Sequence, residues 1–393
     1  MSATLRDEVR AWLRDNLPPS MRLPMPESET PWGGRQGRFS HPDSRTWLDR
    51  MIAKGWTAPT WPSEYGGGGM LGDEAAILSE ELASLGARPP LFSFGLWMLG
   101  PVLLEYATLE QRSRFLPPIA RGEVRWCQGY SEPGAGSDLA SLRMRAEDRG
   151  DHWLLNGQKV WTTYADQSDW IFCLVRTDPD VPKHNGISFI LVDLESAGVT
   201  TRPIRLISGT SPFCETFFDD VRVPKDHLVG PLNGGWAIAK KLLQYERQNV
   251  SAAGFGGDRS ITPASLAKRT VGVDADGRLA DGAIRDRIAR GAMYEQAVAL
   301  ATRDAQLAVD RGLPDTSSSV IKYASAKANQ DRHELSIDLL GLDAMGWSGD
   351  AFDADDLNET RKWLRSKGNS IEGGSSEINL NVIAKQVLRL PDR

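Results

Sequence analysis

The spacing of apolar residues changes twice along the chain. Over residues 1–125 they recur at three-and-four spacing, as in Leu5, Val9, Trp12 and Leu13, which share one face of a helix. The stretches "PPSMRLPMPESETPWGGRQG" and "WPSEYGGGG" interrupt this helical region as loops. From about 126 to 230 the pattern shortens to strand-like runs, "DHWLLNGQKVWTT", "WIFCLVRT", "GISFILVDL" and "ETFFDDVRVP", and Asn156-Gly157 within the first predicts a hairpin. After "GPLNGGW" the helical period returns and holds to the end, with a polar interruption near "KRTVGVDADGRLADG". The pattern predicts an α+β multidomain chain: an N-terminal helical domain over 1–125, a middle β domain over 126–230 and a C-terminal helical bundle over 231–393.

The 393 residues suffice for two or three domains at roughly 100–200 residues each. A formal net charge of −6 gives no general attraction for nucleic acid. The longest apolar stretch, "LFSFGLWMLGPVLLEY" at 91–106, contains Gly and Pro and falls short of the ~20 residues a membrane helix needs, so it predicts a buried helix pair. The N-terminal "MSATLRDEVRAWLRDNL" mixes acids with bases and has no apolar signal core; it predicts a structural helix and a cytoplasmic location. Cys127, Cys173 and Cys214 are widely spaced and lack CxxC or nearby His, which predicts free thiols in a reducing cytosol without zinc or disulfides. His41, His152, His184, His227 and His333 have no partner at metal or triad spacing, and none is given a role.

Chemistry enters at "LLQYERQNVSAAG". Ala239, Leu242, Leu243, Val250 and Ala253 make one helix face, and Glu246 falls inside it. A charged carboxylate on such a face costs several kcal/mol unless it is paired, hydrogen-bonded or protonated, and desolvation turns a weak base into a useful one. An ion pair, or a helix face rotated toward solvent, explains the same residue without catalysis. In "CQGYSEPGAGSDLASL" two glycines with Pro133 and Ser137 make a tight loop able to hold a phosphate or a polar ring edge, or simply a turn. In "NSIEGGSSEINLNVIAKQVLRLP", Gly373 and Gly374 break the pattern and Ser375 or Ser376 caps a helix beginning near Glu377. The aromatics of "KVWTTYADQSDW" form either a flat wall or core.

Taken in order, "GWTAPTWPSEYGGGG", "YSEPGAGSDLASL", "LNGQKVWTTYADQSDWIFCLVRTD", "FFDDVRVPKDHLVG", "GGWAIAKKLLQYER" and "IEGGSSEINLNVIAKQVL" resemble the acyl-CoA dehydrogenase family over nearly the whole chain. The resemblance implies an N-terminal helical domain, a middle β-barrel-like domain and a C-terminal four-helix bundle. It implies flavin adenine dinucleotide (FAD), an acyl-CoA thioester from fatty acid or steroid side-chain β-oxidation, and electron-transfer flavoprotein as acceptor. A base takes the α proton while a hydride leaves the β carbon for the flavin, giving a trans-2-enoyl-CoA. By motif, Gln128, Tyr130, Ser131 and Gly136 line the flavin, with Ser131 at the isoalloxazine edge and Ser137 on the CoA arm. Trp161 and Thr162 lie beside the flavin, and the Thr163 hydroxyl reaches its hydride-accepting nitrogen. Gly374, Ser375 and Glu377 belong to the flavin-side loop, and Arg247 contacts CoA.

Many members carry the base in a C-terminal loop written Tyr-Glu-Gly-Thr; aligning "IEGGSSEI" with it puts Glu372 on the Tyr and Gly373 on the base. A smaller group places the base in a Glu-Arg pair on the first bundle helix, and Glu246-Arg247 fits that pattern. Glu246 is therefore the expected base, with Glu372 as rival. The Arg-x-Phe-Gly motif of homotetrameric members is missing, and Asp338 stands where a Gln usually precedes paired glycines. These departures leave homo- and hetero-oligomers open, including a subunit that mainly completes a partner's flavin site. A flavin monooxygenase on the same fold needs no α-proton base, so Glu246 weighs against it.

Overall fold

The computed structural model describes residues 2–37, 39–253, 261–310 and 317–391. The chain divides into two compact units, Met1–Ile204 with Pro212–Tyr245, and Arg205–Ser211 with Glu246–Arg393.

The first unit opens with α1 (Ser2–Asn16), α2 (Pro42–Ala53) and α3 (Gly72–Ser84). The apolar stripe of α1 buries Val9 and Leu13 against Trp47 and Met51 of α2 and Leu78 of α3. Across that layer Glu81 of α3 accepts from Arg6 at 2.5 Å and Arg10 at 2.6 Å, both on α1. The 91–106 stretch differs from the expected helix pair. A π-helical turn, Gly95–Leu99, runs directly into α4 (Gly100–Tyr106). Pro101, which has no N–H to donate, comes directly after the π turn at the start of α4. A Cβ on Gly100 would come 2.0 Å from the Trp61 ring, so the backbone lies directly on that indole. Next, α5 (Leu109–Ala120) starts from a reciprocal cap between Thr108 and Gln111.

The strands are β1 (Trp126–Gly129), β2 (Arg145–Asp148), β3 (His152–Thr163), β4 (Trp170–Arg176), β5 (Ile187–Asp193), β6 (Val199–Ile204), β7 (Phe213–Pro224) and β8 (Leu228–Val229). They form one sheet in the order β6-β7-β3-β2-β4-β5-β8, with β1 pairing in parallel to β4. β4 and β5 read as continuous apolar runs because both faces are covered, one by Phe115, Trp126 and Leu242, the other by Cys127, Trp153 and Val223.

Asn156-Gly157 is not a hairpin turn. It lies mid-strand in β3, opposite a bulge in β7 where Asp220 takes φ +49°. The Asn156 amide donates to Asp220 Oδ1 and its oxygen accepts from the Asp220 N–H, each at 2.9 Å. Gly157, at φ +146°, is required for close approach: a Cβ there would sit 2.8 Å from Met144 Cα.

Helix α6 (Gly235–Ala253) buries Ile238, Ala239 and Leu242 in the first unit's core, and from Glu246 onward it counts with the second unit. That second unit continues with α7 (Pro263–Thr270), α8 (Gly282–Asp310), α9 (Ser318–Leu340), α10 (Ala354–Ser366) and α11 (Ser376–Val382). Leu266 and Ala267 of α7 pack with Leu335, Leu339 and Leu340 of α9. Among the described residues no helix is long and apolar enough to cross a membrane, and Cys127, Cys173 and Cys214 are buried and free.

Candidate active site

The expected site residues occur in each of the two units, as two separate clusters.

In the first unit the cluster is built where β1, β3 and the loop after β1 meet. Gln128 is half-buried on β1. Tyr130 is buried against the edges of Phe172 and Phe189, with ring centroids 6.1 and 6.5 Å away. The chain then folds back on itself: Glu132 and Ala135 exchange both backbone hydrogen bonds, at 3.0 and 2.9 Å. This turn lifts Gly136 and Ser137 into exposed positions.

What holds the turn was missed from sequence. The Glu132 carboxylate accepts from the Arg143 N–H at 2.7 Å, the Met144 N–H at 2.9 Å and Lys159 Nζ at 2.8 Å. Lys159, fully buried, also donates to the Tyr130 carbonyl at 3.1 Å. Burial drives this ammonium below its ordinary pKa, while Glu132 opposes the shift. The sequence signal was a Lys inside the apolar run "QKVW" and a Glu inside "SEPG", two ions 27 positions apart that nothing local pairs.

From this clamp the backbone steps outward. The Val160 N–H donates to the Ser131 carbonyl at 2.9 Å, fixing the loop against β3. Between Lys159 and Thr162 the β3–β7 register shifts, with one extra residue on β3. Trp161 takes φ +62°, and it is 53% exposed with the edge of the Phe213 ring 6.0 Å away. A left-handed backbone on a bulky residue is costly, and with an exposed ring it marks a place where strain is tolerated for use. Thr162 points inward; its hydroxyl donates to the Cys214 carbonyl and meets Thr216 Oγ1, both at 2.8 Å. Thr162 can thus offer a ligand only its backbone, whereas Thr163 and Ser131 are half-buried at the surface.

In the second unit, Glu246 on α6, the Gly373-Gly374 turn and Lys322 on α9 converge. A Cβ on Gly373 would sit 3.8 Å from Glu246 Oε1 and 3.7 Å from Lys322 Cε, so both side chains flank the same point. Gly373 and Gly374 take φ +64° and +92°, which turns the chain into α11. Ser375 is the N-cap, its hydroxyl accepting from the Ile378 N–H at 3.3 Å, so α11 begins at Ser376. Asn379 Nδ2 reaches back to the Gly374 and Ser375 carbonyls at 2.8 and 3.0 Å. Glu377 is exposed in the first turn of the helix.

The rival carboxylate is already engaged. Glu372 accepts from Arg365 Nη2 at 2.7 Å and Nη1 at 3.2 Å, and from Asn369 Nδ2 at 2.7 Å. Arg247 follows Glu246 on α6, and its side chain lies outside the described residues. Asp338, in the place of the expected Gln, pairs with Arg287 of α8 at 2.7 Å.

Three domain patterns cover the chain in succession: acyl-CoA dehydrogenase N-terminal domain over residues 2–123, middle domain over 127–221 and C-terminal domain over 233–388. The chain belongs to the acyl-CoA dehydrogenase family. Acyl-CoA dehydrogenase IpdE1 of Mycobacterium tuberculosis is 38% identical over 393 residues, covering 98% of this chain and 97% of that protein. Among solved structures, the Tcur3481-Tcur3483 steroid ACAD superposes with a TM-score of 0.76 at 28% identity, covering 100% of this chain and 98% of that one. The ChsE4-ChsE5 complex from Mycobacterium tuberculosis gives 0.75 at 29%, with the same coverage. The chain is therefore an oxidoreductase of the acyl-CoA dehydrogenase type, with helical, β and helical domains in that order.

Proposed function

We propose that the protein is an FAD-dependent dehydrogenase that converts an acyl-CoA thioester to its trans-2-enoyl-CoA, with Glu246 removing the α proton. The observation that carries the reading is the state of the two candidate carboxylates. Glu372 is bound by Arg365 and Asn369, while Glu246 stands at the Gly373 turn within reach of a buried cation. The ion pair with Arg365 and the Asn369 amide fix Glu372 in place, whereas Glu246 Oε1 lies against the Gly373 turn that the family uses beside its substrate.

The β-layer half-site fits a flat heteroaromatic group. The exposed Trp161 indole supplies an apolar face, and Ser131 and Thr163 bring hydroxyls at its border. By the family resemblance, Gln128, Tyr130 and Gly136 serve the flavin and Ser137 the CoA arm, and Gly374, Ser375 and Glu377 are likewise assigned to the flavin. FAD, when bound, provides the two-electron acceptor for the β hydride. The residues of the chain do the rest: Glu246 Oε takes the α proton, and the Lys159–Glu132 clamp holds the Ser131 loop rigid so that the thioester has a fixed seat. The C–H bonds at α and β break, a C=C bond forms, and the proton stays on Glu246 until it exchanges with solvent.

The substrate reading is a steroid-derived acyl-CoA, from the steroid ACAD neighbour, with electron-transfer flavoprotein as acceptor. Assembly with a different chain is favoured by the Arg287–Asp338 pair, which occupies the place where a flavin-contacting Gln is usual, and by a structural neighbour that is a two-component complex.

The test is the visible spectrum of the protein, purified alone and with a homologous partner chain, before and after anaerobic addition of straight, branched and steroid-type acyl-CoAs. Bleaching of the flavin band by one class is the expected result. Glu246→Gln should keep the band and lose bleaching by 10²–10⁴-fold in rate, the range for a positioned base; Glu372→Gln should still bleach. Undiminished bleaching in Glu246→Gln would overturn the assignment.

A further inference from the structure

Arg125, immediately before β1 in the first unit, is 6% exposed and takes no part in the chemistry assigned to Glu246. Its guanidinium carbon lies 4.2 Å from the centroid of the Trp32 ring and 5.0 Å from that of Tyr164. Nη1 donates to Gln167 Oε1 across a long 3.4 Å, and Nη2 is buried without a hydrogen-bond partner. Two nearby acids leave it so: Asp169 Oδ2 accepts from the backbone N–H groups of Arg125 and Arg35, at 2.7 and 2.9 Å, and Asp166 is exposed. Burial pushes this guanidinium below its ordinary pKa. Aromatic rings continue outward from it. Trp32 meets Phe92 and Phe94 edge-on, with centroids 4.7 and 5.9 Å apart, and Trp97 lies 5.1 Å from Phe94. All these rings, with Tyr164, are half-buried, so the wall they form keeps part of its surface open. It adjoins the residues assigned to the flavin: Tyr164 follows Thr163, and Gln128 is three residues beyond Arg125, about 10 Å along extended chain.

We propose that Arg125 and this aromatic wall form the subsite for the far end of the acyl group, and that it selects ring-bearing acyl chains with an acceptor oxygen, a ketone or a carboxylate, distal to the thioester. The proposal rests on the reading of the protein as an acyl-CoA dehydrogenase and names a substrate class for it. Ring faces suit an alicyclic skeleton. The Nη2 group decides between skeletons: a plain hydrocarbon covers the donor and leaves it unpaired, whereas an oxygen on the ring accepts from it. A carboxylate there also returns charge to a buried cation, through a bond stronger than a neutral one. A site that hydrogen-bonds part of its substrate rejects the analogue lacking that part, for the same reason. Trp32, stacked on the guanidinium and itself half-buried, is the ring that shifts to admit the oxygen.

The experiment measures equilibrium binding by calorimetry to the flavin-loaded full-length protein, wild type and Arg125→Met, with thermal unfolding in parallel. The probes are octanoyl-CoA, 3-cyclohexylpropanoyl-CoA and its 4-oxo and 4-carboxy ring derivatives. In wild type the two oxygenated esters should bind at least about tenfold more tightly than the unsubstituted ring ester. Arg125→Met should reduce that preference to within about twofold and leave 3-cyclohexylpropanoyl-CoA bound as before. Equal affinities for the three ring esters in wild type would overturn the proposal, and that comparison stands even where the variant fails to fold. A preference that survives in Arg125→Met, with the damage confined to thermal unfolding, would reduce Arg125 to a structural stack between two rings and overturn it as well. Binding needs no proton transfer, so the outcome is independent of Glu246. Failure of all four thioesters to bind would overturn the acyl-CoA reading and the subsite with it, whereas flat affinities overturn the subsite alone.

Discussion

Lys159 and Lys322 are both completely buried, and both serve loops that carry glycines, but their charges are handled in opposite ways. On β3, Lys159 meets a carboxylate directly: Glu132 lies at 2.8 Å and takes two backbone N–H bonds as well. On α9, Lys322 sits on two carbonyls, with three carboxylates within electrostatic reach. A direct ion pair spends its field on its partner and contributes shape. Carbonyl dipoles hold a cation without cancelling it, so the field remains available to a neighbouring group. The first arrangement neutralises its cation; the second leaves the charge of its cation uncancelled.

The largest break in this comparison should come from Lys159→Met. It leaves Glu132 buried beside two N–H donors without its cation, and removing one partner of a buried pair costs about 3–5 kcal/mol. Urea unfolding should show that loss, and Lys159→Met combined with Glu132→Leu should recover part of it. A double variant no better than the single would mean that the pair does not act as a unit. Lys322→Met should cost less, about 1–2 kcal/mol, because it removes two hydrogen bonds to carbonyls without stranding a paired ion. Equal losses at both positions would erase the distinction. Trp161→Ala should change stability by no more than about 0.5 kcal/mol, since its ring is mostly in solvent, while raising the flavin dissociation constant about tenfold by spectral titration.

Glu81 offers a third case, a buried carboxylate between two partly exposed arginines. The hydrogen bond from Arg10, against desolvation and with help from Arg6, holds its carboxyl below the usual range. Its stabilisation is therefore present above the ordinary carboxylate pKa and is lost as pH falls through the depressed one. Glu81→Gln should lower the melting temperature by a few degrees at pH 7, and the gap to wild type should close in acid.

The order of helix, sheet and helix was legible because periodicity is a local property, and so was a serine cap at 375 or 376, which the structure places at Ser375. Asn156-Gly157 misled because the same dipeptide suits a turn and a crowded bulge; the approach of Met144, just before β2, decides between them. Within the apolar run at 91–106 the chain is continuously helical from 94 onward, with Gly100 packed on Trp61 and Pro101 directly after the π turn. The clamps were out of sight for a different reason. Glu132 with Lys159, and Lys322 with the 369–374 turn, join positions 27 and about 50 residues apart, and no pattern along the chain records which distant ion faces which. Glu246 stood out as a polar residue in an apolar stripe, while the engagement of Glu372 by Arg365, seven positions earlier, depends on how the turn folds back on α10.

The bulge in β3 has an evolutionary reading. Lys159 and Thr162 both face inward although they stand three positions apart, because β3 holds one more residue there than β7 opposes. Strand alternation without the extra residue would still put both inside. The exposed indole is therefore an addition that the ladder does not need. A lineage can gain or lose it in a single codon while the sheet around it stays as it was.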